Sequence, residues 1–127
     1  MNKTVIQTNA APKAIGPYSQ AISVNGLLFI SGQLPVDPET GLFPEGGIKE
    51  QTEQSLKNLE AILKEVGSGL EQVVKTTVFL TDINDFTAMN EVYSNKFSGS
   101  IFPARSAVEV ANLPKNALVE IEAIAIC

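Results

Sequence analysis

The chain has no histidine, a single cysteine and a single arginine in 127 residues. Without imidazole there is no histidine metal site, no Ser–His or Cys–His nucleophile pair and no ordinary side chain that titrates near neutrality. Cys127 stands alone, so no internal disulfide can form. Charge is also sparse, at 18% of residues against 44% apolar. So little charge fits either a slightly apolar monomer or a chain with part of its surface turned toward a partner. The balance is acidic, at −5. The lysines are scattered with no basic run, which opposes a broad nucleic-acid footprint. A polar start and the lack of a long apolar stretch predict neither signal peptide nor membrane span, and hence a cytoplasmic protein. Phosphate-cradling and dinucleotide glycine motifs are missing, and the carboxylates lack metal-ligand spacing.

What is present reads as one domain over residues 1–127. Thr4–Gln7 is a candidate edge strand. Gln20–Val24 and Leu27–Ser31 flank Asn25-Gly26, a strong hairpin signal that sets Val24 opposite Leu27 and Ile22 opposite Phe29. Leu34–Gly47 is a long loop. Ile48–Val66 has the apolar spacing of an amphipathic helix, with Glu53–Lys57 and Glu60–Lys64 at i,i+4 on its outer face and Gly67 as its stop. Val73–Leu80 is β-branched and strand-like. Asp82 caps a second helix with the stripe Phe86, Met89, Tyr93, Phe97, and Asn90 falls inside that stripe where an apolar residue is expected. The order β-β-α-β-α-β-β, with crossovers of one hand, places both helices on one face of a mixed sheet. Apolar residues at both parities of the last strands predict a second buried face, and so an oligomer packed through the bare side of the sheet.

The last two strands, Arg105–Val110 and Leu118–Ala125, carry charge in an apolar setting, which strand interiors rarely do without a reason. Side chains alternate along a strand. Matching apolar to apolar puts Val108 and Val110 with Val119 and Ile121 beneath the helices. If the strands pair as a hairpin, Arg105 and Glu120 then share the non-helical face. Arg105 is permanently charged and forked, suited to a small carboxylate. Glu120 can position water or move protons if burial tunes it upward. Gly32 can offer its backbone N–H, and Tyr18 its ring or hydroxyl. A structural ion pair at a subunit contact fits the same two charges. Lys75, mid-strand, reads as an outward-reaching lysine rather than a Schiff-base residue.

Four segments in order carry a resemblance. They are Ile15-Gly16-Pro17-Tyr18-Ser19-Gln20-Ala21, Ser31-Gly32-Gln33, Pro103-Ala104-Arg105-Ser106 and Val119-Glu120-Ile121-Glu122-Ala123. Together they resemble the reactive intermediate deaminase A (RidA, or YjgF) family over essentially the whole chain. The resemblance implies a chorismate-mutase-like α+β domain, with the sheets forming the inside of a homotrimer, helices outside, and sites at subunit clefts. It implies cofactor-independent hydrolysis of 2-aminoacrylate and 2-aminocrotonate, released by pyridoxal-phosphate-dependent dehydratases, to 2-keto acids and ammonia. Arg105 would clamp the carboxylate and Glu120 would position the attacking water. Gly32 and Ala107 would offer backbone groups, and Tyr18, Ser31 and Asn90 would line the cleft, some from a neighbouring subunit. Many relatives have cysteine where this chain has Ala107, and only the backbone there is expected to matter. Other readings are a non-catalytic small-carboxylate-binding regulatory trimer and an endoribonuclease or translation inhibitor.

Overall fold

The computed structural model describes residues 2–99 and 101–127. It is a six-stranded sheet with two helices. The strands are β1 (Thr4–Ile6), β2 (Ala21–Val24), β3 (Leu27–Gln33), β4 (Val73–Leu80), β5 (Ala104–Glu109) and β6 (Val119–Ile126), and the helices are α1 (Ile48–Glu65) and α2 (Phe86–Lys96). Spatial order is β1-β2-β3-β6-β4-β5. Only β4 and β5 pair in parallel, across the α2 connection. The α1 connection leaves a gap between β3 and β4, and β6 fills it, antiparallel to both.

Local signals explain most elements. Asn25 and Gly26 both take positive φ, 53° and 79°, the geometry of a two-residue turn that follows strand twist. Val24 accordingly faces Leu27, and Ile22 faces Phe29. The Asp82 carboxylate accepts the Asn84 N–H at 2.9 Å, capping the short turn that leads into α2. Leu56, Leu59, Ile62 and Leu63 of α1 and Met89, Tyr93 and Phe97 of α2 bury against Leu28, Ile30, Val78, Leu80, Val119 and Ile121. Both helices thus lie on one face of the sheet, as expected.

Three expectations need correction. Strands β5 and β6 do not form a hairpin; β4 lies between them. Val108 is not beneath the helices but 44% exposed on the other face. The helical face of β5 carries Arg105, Ala107 and Glu109 while the apolar Val108 lies opposite, so matching by hydrophobicity chose the wrong face. Finally, Glu53 pairs not with Lys57 but with Lys96 of α2 at 3.2 Å, and Lys49 pairs with Glu91 at 3.0 Å. Among the described residues the ion pairs therefore join the helices to each other rather than lacing α1 to itself.

The bare face carries Phe29, Val108 and Ile126, each exposed, together with Glu120 and Glu122. No helix is long and apolar enough to cross a membrane among the described residues. The loop 34–47 has no regular structure but is held to α1. Buried Asn58 donates through Nδ2 to the carbonyls of Leu34 (3.1 Å) and Val36 (2.9 Å) and accepts from Gln54 at 2.9 Å. Replacing Asn58 with alanine would orphan two inward-facing carbonyls. Asn58→Ala is expected to lose about 1–3 kcal/mol in urea unfolding and to open the loop to proteolysis before the rest of the chain. Unchanged stability and unchanged cleavage would contradict this role.

Candidate functional site

Arg105 is the second residue of β5, half-buried and on the helical face, level with buried Thr76 of β4. Helix α2 lies above it, and helical spacing brings Phe86, Asn90 and Tyr93 to the guanidinium. Asn90 Oδ1 accepts from Arg105 Nη1 at 2.7 Å. The guanidinium carbon is 4.7 Å from the Tyr93 ring centroid and 5.4 Å from that of Phe86. Two π faces and one amide thus replace part of its hydration. Tyr93 is itself fixed by a 2.7 Å hydrogen bond between its hydroxyl and that of Thr76. Burial raises the Tyr93 pKa, while the Thr76 bond and the Arg105 charge lower it. Among the described residues the other guanidinium N–H groups have no partner. A pocket of about 410 Å³, lined by Asn90, Tyr93, Ser94, Phe102, Pro103 and Arg105, lies beside them. Ala107 is two residues along the same face and packs against the core.

Glu120 occupies the opposite side. It is level with Phe79 of β4, half-buried, on the bare face of β6. Beside it the β3–β6 ladder slips. Ile30 faces Ala123 and Gln33 faces Ile121, so Ser31 and Gly32 together oppose one residue, a β-bulge. Any Cβ on residue 32 would collide with the Glu120 carboxyl, so glycine is what lets backbone and carboxyl meet. The Ser31 hydroxyl donates to the Ser19 carbonyl at 2.6 Å, and the Gln33 amide donates to the Ser31 carbonyl at 3.0 Å. Tyr18, in the adjoining loop, is exposed. Burial raises the Glu120 pKa, and the neighbouring Glu122 charge adds to the rise.

The predicted residues therefore form two groups. Arg105 and Asn90 touch, with Ala107 on the same strand face; Glu120, Gly32, Ser31 and Tyr18 gather around the bulge. The expectation that Arg105 and Glu120 share a face is overturned, because within one chain they lie on opposite faces of the sheet. The pair is not an intrachain ion pair either. Sequence reasoning missed Phe86 and Tyr93 as partners of the arginine. Apolar residues at helical spacing look like core, and the signal that could have found them was Asn90 lodged in the same stripe. Lys75 is half-buried on the bare face, with its ammonium 3.5 Å from the Ser106 hydroxyl. No group of three or more carboxylate or thiol side chains among the described residues is placed to hold a metal ion.

Comparison with known proteins adds a second line. Residues 8–127 match the family model described as endoribonuclease L-PSP. A RutC family protein of Pyrococcus abyssi is 58% identical, over 98% of this chain and 98% of its own. The human 2-iminobutanoate/2-iminopropanoate deaminase is 52% identical, over 98% of this chain and 90% of its own. Among solved structures, a conserved Rid-family protein from Yersinia pestis superposes with a TM-score of 0.97 at 54% identity, covering 99% of this chain and 100% of that one.

Two outcomes follow from the geometry. Tyr93→Phe removes the Thr76 hydrogen bond but keeps the ring. It is expected to lower stability by about 1 kcal/mol while leaving binding of small carboxylates intact, whereas Tyr93→Leu is expected to weaken that binding. Equal carboxylate affinity in the two variants, measured by calorimetric titration, would show that the ring does not orient Arg105. For Glu120 the folded pKa is raised, so the native state binds its proton more tightly than the unfolded chain does. Stability is therefore greater below the unfolded pKa and declines as pH rises through the raised one. Glu120→Gln should remove that decline, giving a variant more stable than wild type at neutral pH and little different in acid. A parallel pH–stability profile in both proteins would contradict it.

Proposed function

The chain belongs to the YjgF/RidA family, and on that footing we propose that it is a cofactor-independent deaminase that hydrolyses 2-enamine and 2-imine acids to 2-keto acids and ammonia. The observation that carries this reading is Arg105. A guanidinium flanked by Phe86 and Tyr93, tied at one nitrogen to Asn90 and facing a pocket with its remaining donors, is preorganised for a carboxylate. The name of the human relative, a 2-iminobutanoate/2-iminopropanoate deaminase, supplies the substrate class.

The chemistry asks little more. The enamine takes a proton at C3 to give the iminium, whose C2 is already electrophilic. Water adds at C2, forming the C–O bond, and its proton passes to the Glu120 carboxylate. That proton then moves to the amine, and as the C–N bond breaks the carbinolamine hydroxyl gives its proton to the Glu120 carboxylate, which returns it to solvent in place of the one taken up at C3, leaving the 2-keto acid and ammonia. A half-buried glutamate whose pKa burial has raised is a stronger base than an exposed one, and can both accept and return the proton. The Gly32 N–H, beside it at the bulge, can hold the developing oxygen. Nothing in this sequence requires a nucleophilic side chain, so Ala107 is compatible with it.

Arg105 and Glu120 face opposite ways within one chain, so the reading includes a closed assembly. The bare face of each copy packs inward, and the Glu120 group of one copy meets the Arg105 group of the next, three times around a trimer. Exposed Phe29, Val108 and Ile126 on that face favour burial there. The endoribonuclease description attached to the family model is the weaker reading, because the chain is acidic and has no histidine for phosphodiester acid–base work.

The test generates 2-aminoacrylate with a serine dehydratase and follows imine decay and pyruvate. Wild type should speed the decay, and neither Arg105→Ala nor Glu120→Gln should do so alone. Keto-acid binding without acceleration by wild type would instead mark a carboxylate-binding regulator. Co-refolding the two inactive variants should restore about a quarter of wild-type activity, because a random mixture in a cyclic trimer gives both intact residues at that share of interfaces. No recovery in a mixed oligomer would overturn the shared site.

A further inference from the structure

We infer that Lys13 and Lys115 form a cationic inlet that captures the anionic substrate on its way to the Glu120 side of the site; this rests on the function proposed above. A groove of about 640 Å³ contains Tyr18 and Gly32, two residues of the Glu120 group. Its walls are otherwise largely apolar, including Ile15, Leu34 and Val36. The charged residues that line it are these two lysines, and no carboxylate does. That is opposite to the chain as a whole, which carries fourteen acids against nine bases.

Both lysines are exposed, and among the described residues neither makes an ion pair. Lys49 and Lys96, by contrast, are spent on carboxylates between the helices. Both also rise from pinned backbone. The buried amide of Gln20 donates to the Pro12 carbonyl at 2.7 Å and to that of Thr8 at 3.0 Å, while its oxygen accepts the Thr8 N–H at 2.7 Å. This fixes the segment that leads into Lys13. On the other side, Gln51 of α1 accepts the Leu118 N–H at 2.8 Å, and the Ala117 N–H reaches the Pro114 carbonyl at 3.2 Å. This fixes the turn that carries Lys115.

The turn is itself informative. Lys115 and Asn116 stand consecutively in the left-handed region, with φ of 58° and 59°. Glycine and asparagine fill such positions with less strain than lysine. A cation is thus held at the groove in a conformation that its backbone does not favour, and an outlier of this kind points toward function.

The physical need is clear. A protein with net charge −5 repels a small carboxylate, and the Glu120 carboxylate beyond the groove adds to that repulsion. Two unpaired cations over low-dielectric walls reverse the local sign and raise the local concentration of anions. Because they act on approach, they favour encounter rather than the chemical step. Their contribution should be screened by salt, as the Debye length shrinks from about 30 Å at 0.01 M to about 8 Å at physiological ionic strength.

The test compares wild type with a Lys13→Gln/Lys115→Asn double variant, in which asparagine keeps the left-handed turn. A Lys57→Gln/Lys64→Gln variant makes the same change in net charge on the outer face of α1. Imine hydrolysis is measured from low to high ionic strength, and 2-oxobutanoate binding is titrated in parallel. The inlet variant should lose about tenfold in kcat/KM at low salt with kcat unchanged, and its salt dependence should flatten; the α1 variant should follow wild type. If wild type hydrolyses imines and the inlet variant matches it at every salt concentration, the inlet is overturned and the activity stands. If wild type shows no hydrolysis but binds 2-oxobutanoate, with affinity and salt dependence both reduced in the inlet variant alone, the inlet stands and the activity falls. Loss of kcat, an equal effect in the α1 variant, or no binding by any of the three would also overturn the inlet.

Discussion

The structure depends on the position of β6. A strand with neighbours on both edges cannot hide its side chains in solvent; each must go to one face or the other. Val119, Ile121, Ala123 and Ala125 go to the helices, and all are buried. Two alanines among them keep that surface shallow, and α1 settles close over it. Alternation then leaves Glu120, Glu122, Ile124 and Ile126 on the far side, away from both helices. The same alternation on β5, whose register is set by β4, sends Arg105 under α2. The two residues of greatest chemical interest are separated by backbone geometry, before any question of energetics arises. A fold that sorts them this way can join them only between copies.

This also explains what could be read from the chain. The Asn25-Gly26 hairpin, α1, β4 and α2 were legible because each is specified by residues near one another in sequence. Gly32 beside Glu120 was half legible: glycine in a strand promised a close approach, but only the bulge at Ser31-Gly32 shows what approaches. The neighbours of β6 were not legible, because pairing across the sheet is decided by which gap the connections leave. Hydrophobic matching failed on β5 for a related reason. Val108 lies on a face that is apolar without being covered by helices, so its character says buried but not where. Phe86 and Tyr93 are the reverse case. They belong to the core by every local criterion and touch the arginine only because β5 runs beneath their helix.

The two charged groups are handled in opposite ways. Arg105 cannot shed its charge, so its partial burial must be offset by fixed partners, and Phe86, Asn90 and Tyr93 surround it. Such a group suits a task in which charge is constant, namely holding a carboxylate in one orientation. Among the described residues no cation stands beside Glu120 in its own chain, and its neighbour Glu122 is of like sign. It responds to burial by moving its pKa, which is what a proton-transfer group requires.

That contrast bears on the missing histidine. A chain without imidazole that must move protons near neutrality has to raise a carboxyl group or lower an amine. Among the described residues two carboxyl groups are raised by burial, Asp85 and Glu120. Asp85 sits at the N-cap of α2, where burial raises it and the nearby Asp82 charge adds to the rise. Glu120 alone has a glycine bulge against its carboxyl and an open apolar face around it. Bringing Arg105 of another copy near would pull its pKa down again, so the working value is a balance between desolvation and that one cation. In the proposed site, a substrate carboxylate seated on Arg105 would neutralise the cation and let desolvation prevail. In the proposed trimer the glutamate would thus become the better base when the site is filled, and substrate binding itself would set the protonation equilibrium that the proposed hydrolysis uses.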